Sequence, residues 1–277
     1  MMSAMTVPAA KITTFREMIF RWWKKNRRDL PWRHTRDPYK IAVSEIMLQQ
    51  TQVPRVIPKY LEFIGEYPTV FDLAKASSAS VLRIWKGMGY NRRALYLRDI
   101  AKIVVKNYQG KMPKDEKLLA KLPGMGTYTA RAILVFAYGQ EVCCVDTNIR
   151  KIITHFFFDD LPQKPETIQS VADELIPKGK SWDWHQALMD YGTLEMPNVK
   201  YQMVNNRKKS VPFRQTNRFY RGRIIDMLRE RKYPEMKLIN RIHDQYGKQE
   251  YEIQSIINSL VKDGLVKRRK DTIQLPE

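Results

Sequence analysis

A chain of 277 residues with 43% hydrophobic side chains is long enough to bury a core in one large domain or two smaller ones. Its 49 Lys and Arg outnumber 29 Asp and Glu, and the formal net charge of +20 predicts a polyanionic partner. A ribosomal or membrane-surface protein would carry the same excess, but no run of about 18 apolar residues is present, so we expect no membrane-spanning helix.

The two cysteines of the chain, Cys143 and Cys144, are adjacent. Neighbouring cysteines rarely form a disulfide, so we expect free thiols in a reducing cytosol, buried as small apolar side chains. The N-terminal residues lack a basic region followed by a long apolar core, so we expect no secretory signal. The four histidines have no metal-ligand spacing, and no metal site is predicted.

Up to about residue 196 the apolar residues recur with helical spacing, and Gly and Pro separate the segments. In the first segment, Phe15, Ile19, Trp22 and Trp23 share one face of a predicted helix. Convincing strand alternation is absent until the C-terminal end, so we predict a mostly α-helical, all-α fold. The main predicted helices cover residues 13–26, 39–53, 92–108, 127–139, 146–157 and 184–196.

The pattern changes after residue 196. Residues 197–216 are polar and basic, which predicts a linker. Residues 217–277 predict three short helices and then two short strands around Lys270-Asp271, the arrangement of a small winged-helix-like module. The predicted domains are therefore a core of residues 1–196, the basic linker and this module.

Glu45 stands inside an apolar helical segment, IAVSEIMLQQ (41–50). A carboxylate placed there would lose water, and desolvation raises the pKa of a carboxyl group. A carboxyl group that keeps its proton near neutral pH is suited to general acid catalysis. Glu45 is therefore a candidate catalytic residue.

A glycine-rich turn, LPGMG (122–126), separates two helical patterns and predicts a helix–hairpin–helix. Gly124 and Gly126 would let the backbone approach a DNA phosphate, which the N–H groups of the turn and of the next helix would hold. Gly-x-Gly alone is weak evidence. The flanking helices and the high positive charge make it considerably stronger.

Asp146, in CCVDTNIRKI (143–152), follows an apolar run and precedes a predicted helix. Aspartate is a good N-cap, so capping alone would explain this residue, but the same carboxylate could also act chemically. A protonated Glu45 and an ionised Asp146 are what cleavage of an N-glycosidic bond requires, since one acid protonates the leaving base and the other carboxylate stabilises positive charge on the sugar.

The motifs RRDLPWR, DPYK, SEIMLQQTQV, WKGMGYNRRA, LPGMGTYTARAI, VDTNIRK and ALMDYG occur in this order between residues 13 and 195. Together they resemble the MutY-type adenine DNA glycosylases of the helix–hairpin–helix (HhH-GPD) superfamily. The resemblance implies a two-lobed glycosylase core and a base excision repair enzyme that releases adenine mispaired with 8-oxoguanine or guanine.

The resemblance also implies residue roles. Glu45 would protonate N7 of a flipped adenine and later position water. Asp146 would stabilise an oxocarbenium-like or covalent sugar intermediate. Tyr128 would contact Glu45 or the sugar, and Asn148 would order the acid network. The implied base pocket comprises Arg28, Leu30, Trp32, Arg33 and Asp190, although a helix-surface acid is an equally good interpretation of Asp190. The implied DNA contacts are Gln49, Gln50, Thr51, Tyr90, Leu122, Gly124, Met125, Gly126 and Thr127, with Gln50 and Tyr90 wedged into the base stack.

Position 128 distinguishes two reaction types. Relatives resembling endonuclease III carry a lysine there, which attacks the sugar as a Schiff-base nucleophile. Tyrosine cannot form an imine. Tyr128 therefore predicts a monofunctional glycosylase that leaves an abasic site.

The chain departs from this family in three ways. The four cysteines that hold an iron–sulfur cluster after the ALMDYG region are missing, and Met196 stands near the first ligand position. We therefore expect no cofactor, apart from a monovalent cation that the hairpin could hold. We expect the C-terminal module to be too short for the domain that reads 8-oxoguanine in this family. Finally, Tyr90-Asn91 and Tyr128 resemble the thymine-mismatch branch of the superfamily.

Two alternatives stay open. The first is excision of thymine or uracil opposite guanine, against which Gln49 and Gln50 argue, since that branch tends to carry basic residues there. The second is a DNA-binding regulator with a degenerate core, against which the intact Glu45, Asp146 and hairpin argue. The expected partner is double-stranded DNA with a mismatched or oxidised base pair, bound by a cytoplasmic, nucleoid-associated monomer.

Overall fold

The computed structural model describes residues 7–196 and 211–277, and most of these residues are helical, which confirms the predicted fold class. Over this part of the chain, no helix has both the length and the apolar character needed to cross a membrane. The α-helices of the described residues are α1 Ala9–Asn26, α2 Pro38–Leu48, α3 Val53–Glu66, α4 Val70–Lys75, α5 Ser78–Ile84, α6 Arg92–Tyr108, α7 Glu116–Ala120, α8 Thr127–Tyr138, α9 Thr147–Phe158, α10 Pro165–Glu174, α11 Ser181–Leu194, α12 Asn217–Glu230, α13 Glu235–Tyr246 and α14 Glu250–Lys262.

The chain forms two compact units that do not follow the sequence in simple order. The first comprises Met1–Glu45 and Met112–Asn206, and the second comprises Ile46–Lys111 and Arg207–Glu277. The predicted domain boundaries at residues 196 and 217 stay a prediction. Most of the predicted linker, residues 197–210 with the basic run at 207–209, lies outside the described residues.

The first unit is built around an aromatic and aliphatic core shared by α1, α9, α10 and α11. Phe15 of α1 meets Trp184 of α11 edge to face, with ring centroids 5.8 Å apart. Trp184 is fully buried. On the predicted face of α1, Ile19 and Trp23 are buried, whereas Trp22 is only partly buried and donates to Glu195 at 2.7 Å. This core fixes α9 and α11, which carry several candidate site residues.

The second unit contains α3–α6 and the three helices of the C-terminal segment, with a small antiparallel sheet. Strands β2 (Lys267–Arg269) and β3 (Thr272–Gln274) form the hairpin predicted around Lys270-Asp271, and Lys270 adopts φ 49° in its turn. Strand β1 (Tyr233–Pro234) pairs with the other side of β3 and gives the order β1-β3-β2. Two residues before a helix carry no alternation, so the sequence did not predict this third strand.

Candidate active site

Glu45 lies on α2 and is only 6% exposed. The neighbouring Val43, Ser44, Ile46 and Met47 are buried as well. Burial raises the pKa of Glu45 from 4.5 to about 7; a hydrogen bond with Tyr128 opposes this rise, and the negative charge of Asp146 adds to it. Glu45 therefore holds its proton to near-neutral pH, as its place in an apolar helix predicted.

Tyr128 lies in the first turn of α8, and its hydroxyl shares a hydrogen bond with the Glu45 carboxyl group. Burial raises the pKa of Tyr128 well above its ordinary value, and the nearby charge of Glu45 raises it further. The phenol stays protonated and donates. Because this hydrogen bond favours the charged form of Glu45, it stabilises the carboxylate that remains after Glu45 gives up its proton.

Asp146 is the N-cap of α9 and sits half-buried at its start. Its Oδ1 accepts the Ile149 N–H at 2.7 Å, and its Oδ2 accepts Asn148 Nδ2 at 3.3 Å. Burial raises the pKa of Asp146, while these hydrogen bonds and the charge of Lys151 oppose the rise. The predicted cap is confirmed, and the same carboxylate is close enough to Glu45 to affect its pKa, so capping leaves Asp146 part of the acid cluster.

Asn148 of α9 packs closely against α11 at Gly192. A Cβ on Gly192 would lie 2.6 Å from the Cβ of Asn148, closer than packed atoms tolerate. Glycine therefore allows α11 to approach α9 at this point. Asn148 Nδ2 also donates to Thr193 Oγ1 at 3.3 Å, next along α11. The sequence contained this glycine in the ALMDYG motif but gave no reason for it.

His185 supports the segment that leads to Asp146, and the sequence did not single it out. Its Nε2 accepts the Cys144 N–H at 3.2 Å, and its Nδ1 donates to the Ser181 carbonyl at 2.6 Å. Burial lowers the pKa of His185 to about 4, so the ring is neutral and carries its proton on Nδ1. Cys144 is fully buried and free, as predicted for both cysteines, and its thiol lies near Glu45 and Tyr128.

Asp190 is not a helix-surface acid. It is fully buried and accepts Arg28 Nε at 2.5 Å, Arg33 Nη1 and Nη2 at 2.8 Å each, and Trp23 Nε1 at 2.9 Å. Burial alone would raise the pKa of Asp190, but the hydrogen bonds and charge of Arg33, with the bonds from Arg28 and Trp23, outweigh it and lower the pKa overall. This cluster anchors residues 28–33 on α11.

The rest of the predicted base pocket lies within that anchored segment. Leu30 is 6% exposed and Trp32 is 8% exposed, and a 3₁₀ turn at Pro31–Arg33 presents them. The structure therefore brings Arg28, Leu30, Trp32, Arg33 and Asp190 together. Contact of these side chains with a base stays a prediction.

The predicted helix–hairpin–helix consists of α7, the LPGMG turn and α8. Leu122 and Met125 are buried and anchor the turn, whereas Gly124, Gly126 and Thr127 are exposed. Gly124 adopts φ 71°, which favours glycine. A Cβ on Gly126 would meet no atom within 4 Å, and α8 starts without an acidic residue in its first turn. The helix N-terminus is therefore accessible to an anion.

The remaining predicted DNA contacts, Gln49, Gln50, Thr51 and Tyr90, belong to the second unit. Gln50 and Tyr90 both adopt the left-handed conformation, with φ 54° and 44°. Non-glycine residues rarely do so, and such strain persists where the surrounding structure enforces it. Both side chains are exposed, Tyr90 to 39%.

The chain does not fit the iron–sulfur cluster that the resemblance implies. Such a cluster needs four thiolates, but Cys143 and Cys144 are the only cysteines, and both are fully buried. Met196, near the expected first ligand position, is buried too. Within the described ranges, no three or more His, Cys, Asp or Glu side chains group together so as to hold a metal ion.

Comparison with known proteins shows the family of the chain. Residues 43–178 match the model of the HhH-GPD superfamily base excision DNA repair proteins. The chain is 34% identical to a thymine/uracil-DNA glycosylase of Methanothermobacter thermautotrophicus, over 66% of this chain and 85% of that protein. It is 33% identical to an adenine DNA glycosylase of Mycolicibacterium smegmatis, over 90% of this chain and 92% of that protein.

A solved structure of a thermostable thymine-DNA glycosylase superposes with a TM-score of 0.62 at 31% identity, and the match covers 72% of this chain and 90% of that one. These similarities confirm the family predicted from the motifs and the predicted activity on DNA. The chain therefore belongs to the HhH-GPD superfamily of base excision DNA repair proteins and is a DNA glycosylase.

Proposed function

We propose that this glycosylase releases adenine mispaired with guanine or 8-oxoguanine and leaves an abasic site. The observation that carries the proposal is the buried Glu45 carboxyl group, which is hydrogen-bonded to Tyr128, lies close to Asp146 and has its pKa raised to about 7 by burial. Adenine leaves more readily once its ring nitrogen is protonated, so an acid that keeps its proton near pH 7 suits a purine leaving group. Gln49 and Gln50 also follow the adenine-branch pattern.

In this mechanism the adenine is flipped out of the stack, and Glu45 gives its proton to N7. The glycosidic bond breaks, and its electron pair leaves with the base. Asp146 lies opposite the positive charge that develops on the sugar and stabilises it. Tyr128 donates to the new Glu45 carboxylate, which then takes a proton from the water that attacks the sugar carbon. The carboxyl group is thereby restored.

The proposed enzyme is monofunctional, because Tyr128 offers no amine to the sugar. Lys151 is the lysine whose charge acts on Asp146. Its Nζ donates to the carbonyls of Met196 at 3.1 Å and Gly192 at 3.5 Å. Two backbone carbonyls therefore hold the Lys151 side chain beside Asp146.

The helix–hairpin–helix would hold one phosphate of the DNA near the excised base. Two observations support this. Packing inside the protein would leave room for a side chain at Gly126, so the fold does not require glycine there. The N-terminus of α8 is also accessible. The backbone conformation already favours glycine at position 124, whereas glycine at position 126 is what close approach of an external phosphate would require.

A second candidate is excision of thymine or uracil opposite guanine. Tyr90-Asn91 and Tyr128 favour it, as does the similarity to a thymine/uracil-DNA glycosylase. The two candidates share Glu45 and Asp146 and differ in the leaving base. Only the substrate distinguishes them.

A panel of four duplexes tests the proposal: adenine opposite 8-oxoguanine, adenine opposite guanine, thymine opposite guanine, and uracil opposite guanine. Abasic products are revealed by alkaline cleavage under single-turnover conditions. We expect cleavage at the two adenine duplexes and none with Glu45→Gln. Cleavage confined to the thymine and uracil duplexes would replace adenine excision by the second candidate.

We further propose that the enzyme acts without an iron–sulfur cluster, as a monomer on cytoplasmic DNA. The shortage of cysteines supports the first point. Colourless, iron-free protein that stays active in the presence of a chelator would agree with it. Light scattering of the protein at assay concentration tests the monomer.

A further inference from the structure

The second unit contains a strongly basic groove with a volume of about 790 Å³. It lies between the turn of residues 87–91 and helix α12 of the C-terminal segment, and the exposed Gln50 also lines it. Among the described residues that line it, seven are arginines and one, Asp226, is acidic. None of the reaction steps above uses this groove.

The helix α12 is fixed to its side of the groove by a buried arginine. Arg229 is 8% exposed, and its Nε donates to the Leu82 carbonyl at 2.8 Å while its Nη2 donates to Asn91 Oδ1 at 2.8 Å. Arg221 of α12 and Arg92 of α6 also share the Asp263 carboxylate, at 2.5 and 2.8 Å. These contacts set the width of the groove.

The turns on the other side are held by a second buried arginine, Arg93. Its guanidinium donates to the Ile46 and Met47 carbonyls at 2.9 and 3.0 Å, to Thr51 Oγ1 at 3.0 Å and to the Met88 carbonyl at 3.2 Å. Arg93 therefore joins the end of α2 to the 87–91 turn. Gln50 and Tyr90, which are both exposed and both have left-handed backbone, stand on these joined turns.

Two exposed arginines of the groove are available to bind an external anion. In the part of the chain that the structure describes, neither Arg55 nor Arg218 pairs with a carboxylate. The Arg218 guanidinium instead stacks 4.8 Å from the Tyr90 ring centroid and 4.9 Å from that of Phe213, and it donates to the Tyr90 hydroxyl. A guanidinium stacked in this way still offers N–H groups at its edge to a phosphate.

We propose that α12 makes this groove part of the DNA site: Arg55 and Arg218 bind phosphates of one strand, and Arg218 holds Tyr90, which the family resemblance already implies is inserted into the base stack. A basic groove with an aromatic side chain in it is the combination that binds single-stranded nucleic acid, because arginine follows the backbone and the ring accepts any base. Arg218 has a second role as a positioning residue, since it holds the Tyr90 ring. The C-terminal segment is thereby part of the substrate site.

This inference rests on the proposed function only in taking DNA as the substrate, and not on which base is released. The first test measures DNA affinity by anisotropy across a salt series for the wild-type full chain, Arg218→Gln and Arg55→Gln. Each phosphate contact removed lowers the magnitude of the log–log slope by about 0.9. Arg269→Gln is the matched control, because Arg269 lies on β2, pairs with Glu277 at 2.9 Å and is no part of the groove.

We expect both groove variants to lose about 0.9 of slope and Arg269→Gln to keep the wild-type slope. Equal loss in Arg269→Gln would show a diffuse electrostatic effect, and unchanged slopes in both groove variants would show that no phosphate is bound there. Either result overturns the proposal. Matching thermal melts of the three variants establish that all are folded, which their exposed side chains favour.

The second test uses 2-aminopurine next to the target base, whose fluorescence rises on unstacking. At saturating protein, Arg218→Gln should lose most of the rise in fluorescence. Arg218→Lys should keep the wild-type salt slope but recover only part of the fluorescence rise, since lysine retains the charge but not the planar fork. A full rise in Arg218→Gln would remove the positioning role. If the wild type released no adenine, the proposed function would fail, but the salt slopes would still show whether the groove binds DNA phosphates.

Discussion

Glu45→Gln should stabilise the protein while it strongly slows base release. In the unfolded chain Glu45 ionises with a pKa near 4.5, whereas burial raises its pKa in the fold to about 7. This difference corresponds to about 3 kcal/mol, at 1.36 kcal/mol for each pKa unit. The folded state therefore binds the extra proton between these pH values, and wild-type stability falls as pH rises from about 4.5 to 7. Glutamine does not titrate, so the variant escapes this loss.

Urea unfolding of both proteins at half-unit steps from pH 4.5 to 8.5 measures the effect. Relative to the wild type, the free energy of unfolding of the variant should be little changed near pH 4.5 and higher by up to about 3 kcal/mol above pH 7. In parallel, wild-type single-turnover excision should fall about tenfold per pH unit above 7, as Glu45 loses its proton. The variant should be slower by roughly 10²–10⁴-fold, the usual contribution of a general acid.

Two results would refute this reasoning. A stability difference that does not change with pH would mean that Glu45 titrates normally in the fold. A wild-type excision rate that stays flat from pH 6 to 9 would mean that its proton is not needed. Duplex binding by the variant serves as the control and should stay near the wild-type value.

Three further predictions follow from the other site residues. Borohydride should trap little or no wild-type protein on DNA, whereas Tyr128→Lys should give a covalent adduct visible on a denaturing gel; efficient wild-type trapping would contradict the monofunctional assignment. Gly192→Ala should slow excision at least about tenfold, because the new Cβ would displace Asn148, 2.6 Å away. As a control, Gly65→Ala should leave the rate unchanged, because a Cβ there meets nothing within 4 Å. Equal excision rates for the two variants would show that the helices relax without cost. Asp190→Asn should lower the free energy of unfolding by roughly 3–5 kcal/mol, since it leaves buried arginine charge unpaired; urea midpoints like those of the wild type would show that the ion cluster adds no net stability.

The sequence by itself determined the features that depend on nearby residues. Periodic apolar side chains predicted the helices and placed Glu45 inside one of them, and Asp146 before a helix predicted the cap that the structure shows. The glycines of LPGMG predicted the hairpin, and Lys270-Asp271 predicted the turn between β2 and β3. The ordered set of motifs identified the family. Apart from the family, each of these inferences rests on residues within one or two helical turns of each other, where sequence spacing fixes geometry.

Only the tertiary structure decided the contacts between distant parts of the chain. Asp190 is hydrogen-bonded to Arg28, which lies 162 residues away in the sequence. The local sequence pattern therefore could not show whether Asp190 is a surface acid or a buried anchor. His185 supports Cys144 across 41 residues, and Gly192 makes room for Asn148 on another helix. The physical reason is that the pKa of a buried group, the need for a glycine and the partner of a charge all depend on which atoms surround them after folding, and spacing along the chain does not specify those atoms.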